Sequence, residues 1–99
     1  MAEIEIESAE VAAAVGDTLV VQLPETTTGH VWSVAELGDG LTLVGDRYDD
    51  GGRKAPGHSR NHVFELLAER AGEWTVGLRL AREWESRSTD ERRFTIVVG

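Results

Sequence analysis

A chain of 99 residues with a formal charge of −8 and no cysteine is long enough for one two-layer core, which packing must stabilise without disulfides or thiolate-bound metal. Eighteen acidic against ten basic side chains argue against a nucleic-acid partner, and no apolar run approaches the roughly 20 residues of a membrane-spanning helix. The acidic opening Met-Ala-Glu-Ile-Glu does not read as a secretory signal. It implies a cytoplasmic protein if Met1 is the natural start, and an exported one if a signal peptide was removed.

Glu3 to Glu7 alternates glutamate with isoleucine, the period of a strand that turns Ile4 and Ile6 inward and keeps its carboxylates in water, as suits a sheet edge. Residues 11–15 are alanine-rich and favour neither strand nor helix; Gly16-Asp17 ends them in a turn. Thr18 to Leu23 predicts a strand with Leu19, Val21 and Leu23 on one face. The segment Leu-Pro-Glu-Thr-Thr-Thr-Gly-His-Val-Trp, residues 23–32, then turns the chain. Pro24 cannot donate to a central ladder and Gly29 tolerates positive φ, so this connection projects from the end of a sheet and presents three threonines. His30 to Ala35 follows as a strand whose Trp32 belongs to the core. Leu41 to Val44, framed by Gly38, Gly40 and Gly45, is a shorter strand that runs on to Tyr48.

Asp46 to Asn61 reads as a long loop, broken by Gly51, Gly52, Pro56 and Gly57 and made locally basic by Arg53, Lys54, His58 and Arg60; connections of this length are commonly binding loops. His62 to Ala68 places Phe64 and Leu66 on one face, and Ala71-Gly72 is a turn. Trp74, Val76, Leu78 and Leu80 alternate with Thr75, Gly77 and Arg79 in the clearest strand of the chain, and Phe94, Ile96 and Val98 repeat the pattern at the C-terminus. Between these two strands, Ala81 to Arg92 forms the last loop. At least seven short strands with turn signals and no helical periodicity predict an all-β fold, an immunoglobulin-like antiparallel β-sandwich of about seven or eight strands in a single domain, residues 1–99. Loops between alternate strand pairs collect at one end of such a sandwich. Thr26 to Gly29, Gly57 to Arg60 and Arg82 to Trp84 would then form one tripartite edge.

Trp84 is flanked by Arg82, Glu83, Glu85 and Arg87 and lacks the alternation that would bury it, so it reads as an anchor for a partner surface rather than as core. His58 and His62 stand four apart, a spacing that converges on a metal only in a helix, which the neighbouring Gly, Pro and Asn oppose. Asp46, Asp49, Asp50 and Gly51 do not complete a calcium loop, because Tyr48 takes a ligand position and no glutamate closes it. Gly51-Gly52-Arg53-Lys54 lacks the spacing and the hydroxyl of a phosphate loop, and His58-Ser59 lacks the strained turn and oriented base of a serine hydrolase. The expectation is therefore no cofactor, no metal and no enzymatic activity.

Thr27-Thr28-Gly29, Gly57 to Arg60 ahead of Phe64, and Arg82-Glu83-Trp84 together resemble the chagasin-like inhibitors of papain-type cysteine peptidases. The first family loop reads Asn-Pro-Thr-Thr-Gly followed by an aromatic; here Glu25, Thr26 and His30 depart from it, and the loop is one residue shorter. The second is a glycine-rich turn, here with fewer glycines. The third reads Arg-Pro-Trp, its proline replaced by Glu83 with the spacing from Ala71-Gly72 to Phe94-Thr95 kept. The resemblance implies a reversible proteinaceous inhibitor, monomeric when free, whose partner is a papain-family cysteine peptidase. It further implies peptidase contacts at Thr26, Thr27, Thr28, Gly29, Gly57, His58, Ser59, Arg60, Arg82 and Trp84. The alternative is an immunoglobulin-like adhesion or assembly module without inhibitory activity, which loop order discriminates: Thr27 and Trp84 on opposite ends of the sandwich would favour the module.

Overall fold

Period-two alternation, not any long apolar stretch, builds this fold. The structure is a computed structural model that describes residues 2–25, 30–49, 60–82 and 90–99, and those residues contain eight strands and no helix. In chain order these are β1 (Glu3–Glu5), β2 (Glu10–Ala13), β3 (Thr18–Glu25), β4 (His30–Leu37), β5 (Leu41–Asp49), β6 (Arg60–Ala68), β7 (Gly72–Arg82) and β8 (Asp90–Val98). One sheet has the order β1-β3-β6-β5 and the other β2-β8-β7-β4. The sandwich is the expected one, with a refinement: its antiparallel body is extended by two parallel pairs, β1 with β3 and β2 with β8.

The two inner faces meet over Leu19, Val21, Leu23, Phe64 and Leu66 from one sheet and Trp32, Val76, Leu78, Ile96 and Val98 from the other. Removing these alternating side chains from water is the main favourable term in folding, worth roughly 1.5–3 kcal/mol for each large one fully buried. Trp32 is core, as its strand pattern implies. Trp74 packs against the core but stays half-buried, its Nε1–H donating to the Arg70 carbonyl at 3.0 Å at the far end of the sandwich.

Several strands run further than the sequence suggests. Although Pro24 cannot donate, β3 continues through it to Glu25, because β1 pairs with β3 only at Thr18, Leu19 and Val20 and leaves no neighbour there to require the missing N–H. β5 and β6 reach into the stretch expected to be loop, with Asp46 opposite Phe64, Tyr48 opposite His62 and Asp49 opposite Asn61; the Arg47 Nε–H bond to Glu65 at 3.0 Å crosses the same pair. β7 likewise extends to Arg82, and β8 begins at Asp90. The intervening connections shrink to residues 26–29, 50–59 and 83–89.

Candidate functional site

Strand register decides where those three connections leave the sandwich. In one sheet Glu25 at the end of β3 lies opposite Arg60 at the start of β6, and Asp49 at the end of β5 lies opposite Asn61. In the other, His30 at the start of β4 lies opposite Arg82 at the end of β7, and Asp90 at the start of β8 lies opposite Leu80. Glu25 and His30 are five residue steps apart, at most about 18 Å of extended chain. That reach spans the roughly 10 Å between packed sheets and little of a strand's length, so both sets of strand ends share one end of the molecule.

Two hydrogen bonds fasten the sheets there. The Trp32 backbone N–H donates to Glu25 Oε2 at 3.0 Å, and the Trp32 indole Nε1–H donates to the Pro24 carbonyl at 2.9 Å. Glu25 is 2% exposed, and its carboxylate also faces His62 Nδ1 at 2.8 Å. The other ring nitrogen of His62, Nε2, meets Asp46 Oδ1. The imidazole stacks on Phe64 with centroids 4.2 Å apart and an interplanar angle of 18°, while Tyr48 lies against it at 4.4 Å and 38°. Burial alone would raise the Glu25 pKa. The N–H of Trp32 and hydrogen bonds from His62 and Tyr48, with the charge of His62, outweigh it and hold the carboxyl below the ordinary carboxylate range.

The stem of the third connection joins the same floor. Arg92 carries its guanidinium 5.9 Å from the centroid of the Trp32 ring, within cation–π reach, and its Nη1 donates to Asp90 Oδ1 at 2.8 Å. Trp32 therefore touches the stem of the first connection through Pro24 and Glu25, and that of the third through Arg92. Glu25 extends the network to the stem of the second through His62.

Of the residues singled out from sequence, Arg82 is half-buried at the end of β7, and Arg60 is placed by its backbone pairing with Glu25. Thr26, Thr27, Thr28, Gly29, Gly57, His58, Ser59 and Trp84 lie outside the described residues. The structure thus brings the roots of all three candidate loops to one end. It adds Glu25, Asp46, Tyr48 and His62, which sequence reasoning left out of the site. A signal for His62 was available: it shares the period-two face of Phe64, Leu66 and Ala68, so an ionisable ring had to be accommodated on the buried side of β6. Among the described residues no group of three or more His, Asp or Glu side chains is arranged to hold a metal.

Residues 12–98 match the family model described as Chagasin family peptidase inhibitor I42. No curated protein matches the chain in sequence. Among solved structures, the cysteine protease inhibitor EhICP2 from Entamoeba histolytica superposes with a TM-score of 0.83 at 20% identity, covering 99% of this chain and 96% of that one. Amebosin superposes with a TM-score of 0.72 at 22% identity, covering 99% and 95%. PbICP-C, solved in complex with falcipain-2, gives 0.75 at 11% identity, covering 98% and 89%. At these identities the likenesses establish the fold.

Proposed function

Because the chain belongs to the chagasin family of peptidase inhibitors, we propose that it inhibits papain-type cysteine peptidases reversibly, by filling the active-site cleft with the three loops rooted at one end of its sandwich. As a member of an inhibitor family it is not an enzyme. The observation that carries the cleft-filling reading is the common end shared by the stems of residues 26–29, 50–59 and 83–89. An adhesion or assembly module would not require that arrangement.

In this mechanism Thr26, Thr27, Thr28 and Gly29 form a compact turn over the catalytic thiolate. They offer no extended peptide in the geometry that nucleophilic attack requires, so occlusion takes place without covalent chemistry. Trp84 with Arg82 anchors one wall of the cleft, and Gly57, His58, Ser59 and Arg60 lie along the other. Small side chains at the turn keep it narrow enough to enter. Tight binding further requires that little loop freedom be lost on association, which the hydrogen-bonded stems favour.

Titration of the protein into a papain assay tests the reading: inhibition at or below micromolar protein is expected, and none at that concentration refutes it. Trp84→Ala is expected to weaken inhibition by about 2 kcal/mol, roughly 30-fold, as truncation of an interface anchor does, with its urea midpoint unchanged.

A further inference from the structure

Among the described residues His62 is the one ionisable ring buried at the loop-bearing end, and both of its nitrogens face carboxylates: Nδ1 meets Glu25 Oε2 at 2.8 Å, and Nε2 meets Asp46 Oδ1. An ionised carboxylate only accepts hydrogen bonds, and a neutral imidazole carries a single N–H, so both contacts are satisfied together only by the imidazolium. The two carboxylates differ in their access to water. The side chain of Glu25 is 1% exposed and that of His62 3%, whereas that of Asp46 is 52% exposed. Loss of the ring proton therefore has a preferred outcome. The surviving N–H stays on Nδ1, since otherwise the buried Glu25 carboxylate would face a ring lone pair with no water to separate them, while the Nε2 lone pair is left facing Asp46, which can turn to solvent.

The described groups around the ring offer no substitute. From β3 it faces Glu25 and from β5 Asp46 and Tyr48; on its own strand it stacks on Phe64; β4 meets Glu25 through the Trp32 N–H. Arg47, the neighbouring cation on β5, bonds to Glu65. The aromatic contacts on Phe64 and Tyr48 hold the ring in place, so it does not rotate to a new acceptor. Separation of Asp46 from His62 removes one side-chain tie between β5 and β6, three positions before β5 ends at Asp49, and loosens the stem of the second loop without breaking the backbone pairing that runs on to Asp49–Asn61.

We propose that His62 is a pH-dependent positioning residue: in its doubly protonated form it clasps Asp46 and Glu25 and pre-organises the stems of the first and second loops, and on losing a proton it lets go of Asp46, so that the peptidase is held less tightly. This rests on the inhibitor reading above. Asp46→Asn separates the role from mere packing, because an asparagine amide accepts from a protonated Nε2 and donates to an unprotonated one, keeping the clasp closed in both states.

The test is the inhibition constant against papain at several pH values between about 5 and 8, for the natural protein and for Asp46→Asn, taken as a ratio at each pH so that the enzyme's own titration cancels. The natural protein is expected to weaken relative to the variant by about 5- to 20-fold as pH rises, the lower part of the range of ordinary coupling between sites; a ratio constant across the range overturns the proposal. Nitrogen NMR of the free protein supplies an independent reading. Two protonated ring nitrogens on His62 at the acid end, and Arg47 to Asp49 amide signals that follow the ring's titration in the natural protein but not in Asp46→Asn, support it. A singly protonated ring at the acid end refutes it. If neither protein inhibits at any pH, the inhibitor reading fails, and the NMR result alone decides whether the clasp exists.

Discussion

Replacing Gly40 with alanine probes the end of the sandwich opposite the loops. A Cβ at Gly40 would lie 2.2 Å from Cε2, 2.3 Å from Nε1 and 2.5 Å from Cζ2 of Trp74, where ordinary carbon contacts are about 3.5–4.0 Å. The indole must therefore retreat by more than an ångström. Retreat is opposed by its bond to the Arg70 carbonyl at 3.0 Å and by the close fit of Gly38 and Gly72 against the same side chain. Losing that bond costs about 1 kcal/mol and residual overpacking about 1–2 kcal/mol, so destabilisation by about 2–3 kcal/mol is expected. For a domain of this size, that corresponds to roughly 10–20 °C in Tm. Among the described glycines only Gly16 and Gly72 have positive φ, so the backbone at Gly40 accepts alanine and the cost is steric contact with the ring.

That attribution is tested by urea unfolding of four proteins: the natural one, Gly40→Ala, Trp74→Ala and the double variant. With the indole gone, the three atoms nearest to that Cβ go with it, so Gly40→Ala should cost under about 0.5 kcal/mol in the Trp74→Ala background, a coupling nearly as large as the single-variant effect. A cost near 2 kcal/mol in both backgrounds would refute the reasoning. Inhibition by Gly40→Ala, measured well below its Tm, should match that of the natural protein, since the loop stems are at the other end.

Asp17 accepts the Ala14 N–H at 2.9 Å and the Ala2 N–H at 2.8 Å, bonds that hold its pKa below the ordinary carboxylate value. A carboxyl depressed in the folded state contributes stability above the ordinary carboxylate range and loses it as pH falls through the folded pKa, so Asp17→Asn should flatten the acid limb of the urea midpoint against pH; an unchanged limb would contradict this. Trp32→Phe removes the indole N–H from the Pro24 carbonyl and should cost about 1–2 kcal/mol in urea unfolding while weakening inhibition. Thr27→Arg should weaken inhibition at least about tenfold and leave the urea midpoint in place, because bulk there keeps the turn out of a narrow cleft; undiminished inhibition would remove Thr27 from the contact.

Most of the sheet framework was legible because alternation is a local property: Leu19, Val21 and Leu23, or Val76 and Leu78, declare their buried face within five residues. β2 was not legible, since Glu10-Val-Ala-Ala carries little side-chain signal and owes its strand form to parallel pairing with Thr95 to Val98, more than 80 residues away. Strand ends were misplaced for a related reason. Asp46 and Glu25 look like loop residues when read singly, and they become strand residues because His62 gives both carboxylates a partner, 16 and 37 positions away. The candidate edge was legible in outline from turn chemistry and family motifs, while its floor was not, because no local pattern announces a side-chain cluster of Glu25, Asp46 and His62 assembled from three strands.

That floor bears on how an inhibitor of this family can function without its usual prolines. Proline at the Thr26 and Glu83 positions would stiffen each loop directly, by restricting φ in the free protein. Here the restriction is available at the roots. Residues 26–29 span two stems fastened to each other by both the backbone and the indole N–H of Trp32, and the loop is one residue shorter than the family pattern, which reduces the freedom its ends must lose. The two ways of limiting loop entropy differ in one physical respect. A proline ring is indifferent to solution conditions, whereas a clasp made of Glu25, His62 and Asp46 changes with the protonation of its central ring. Moving rigidity from the loops into a charged floor couples the fit of the binding edge to pH, which a pair of prolines would not do.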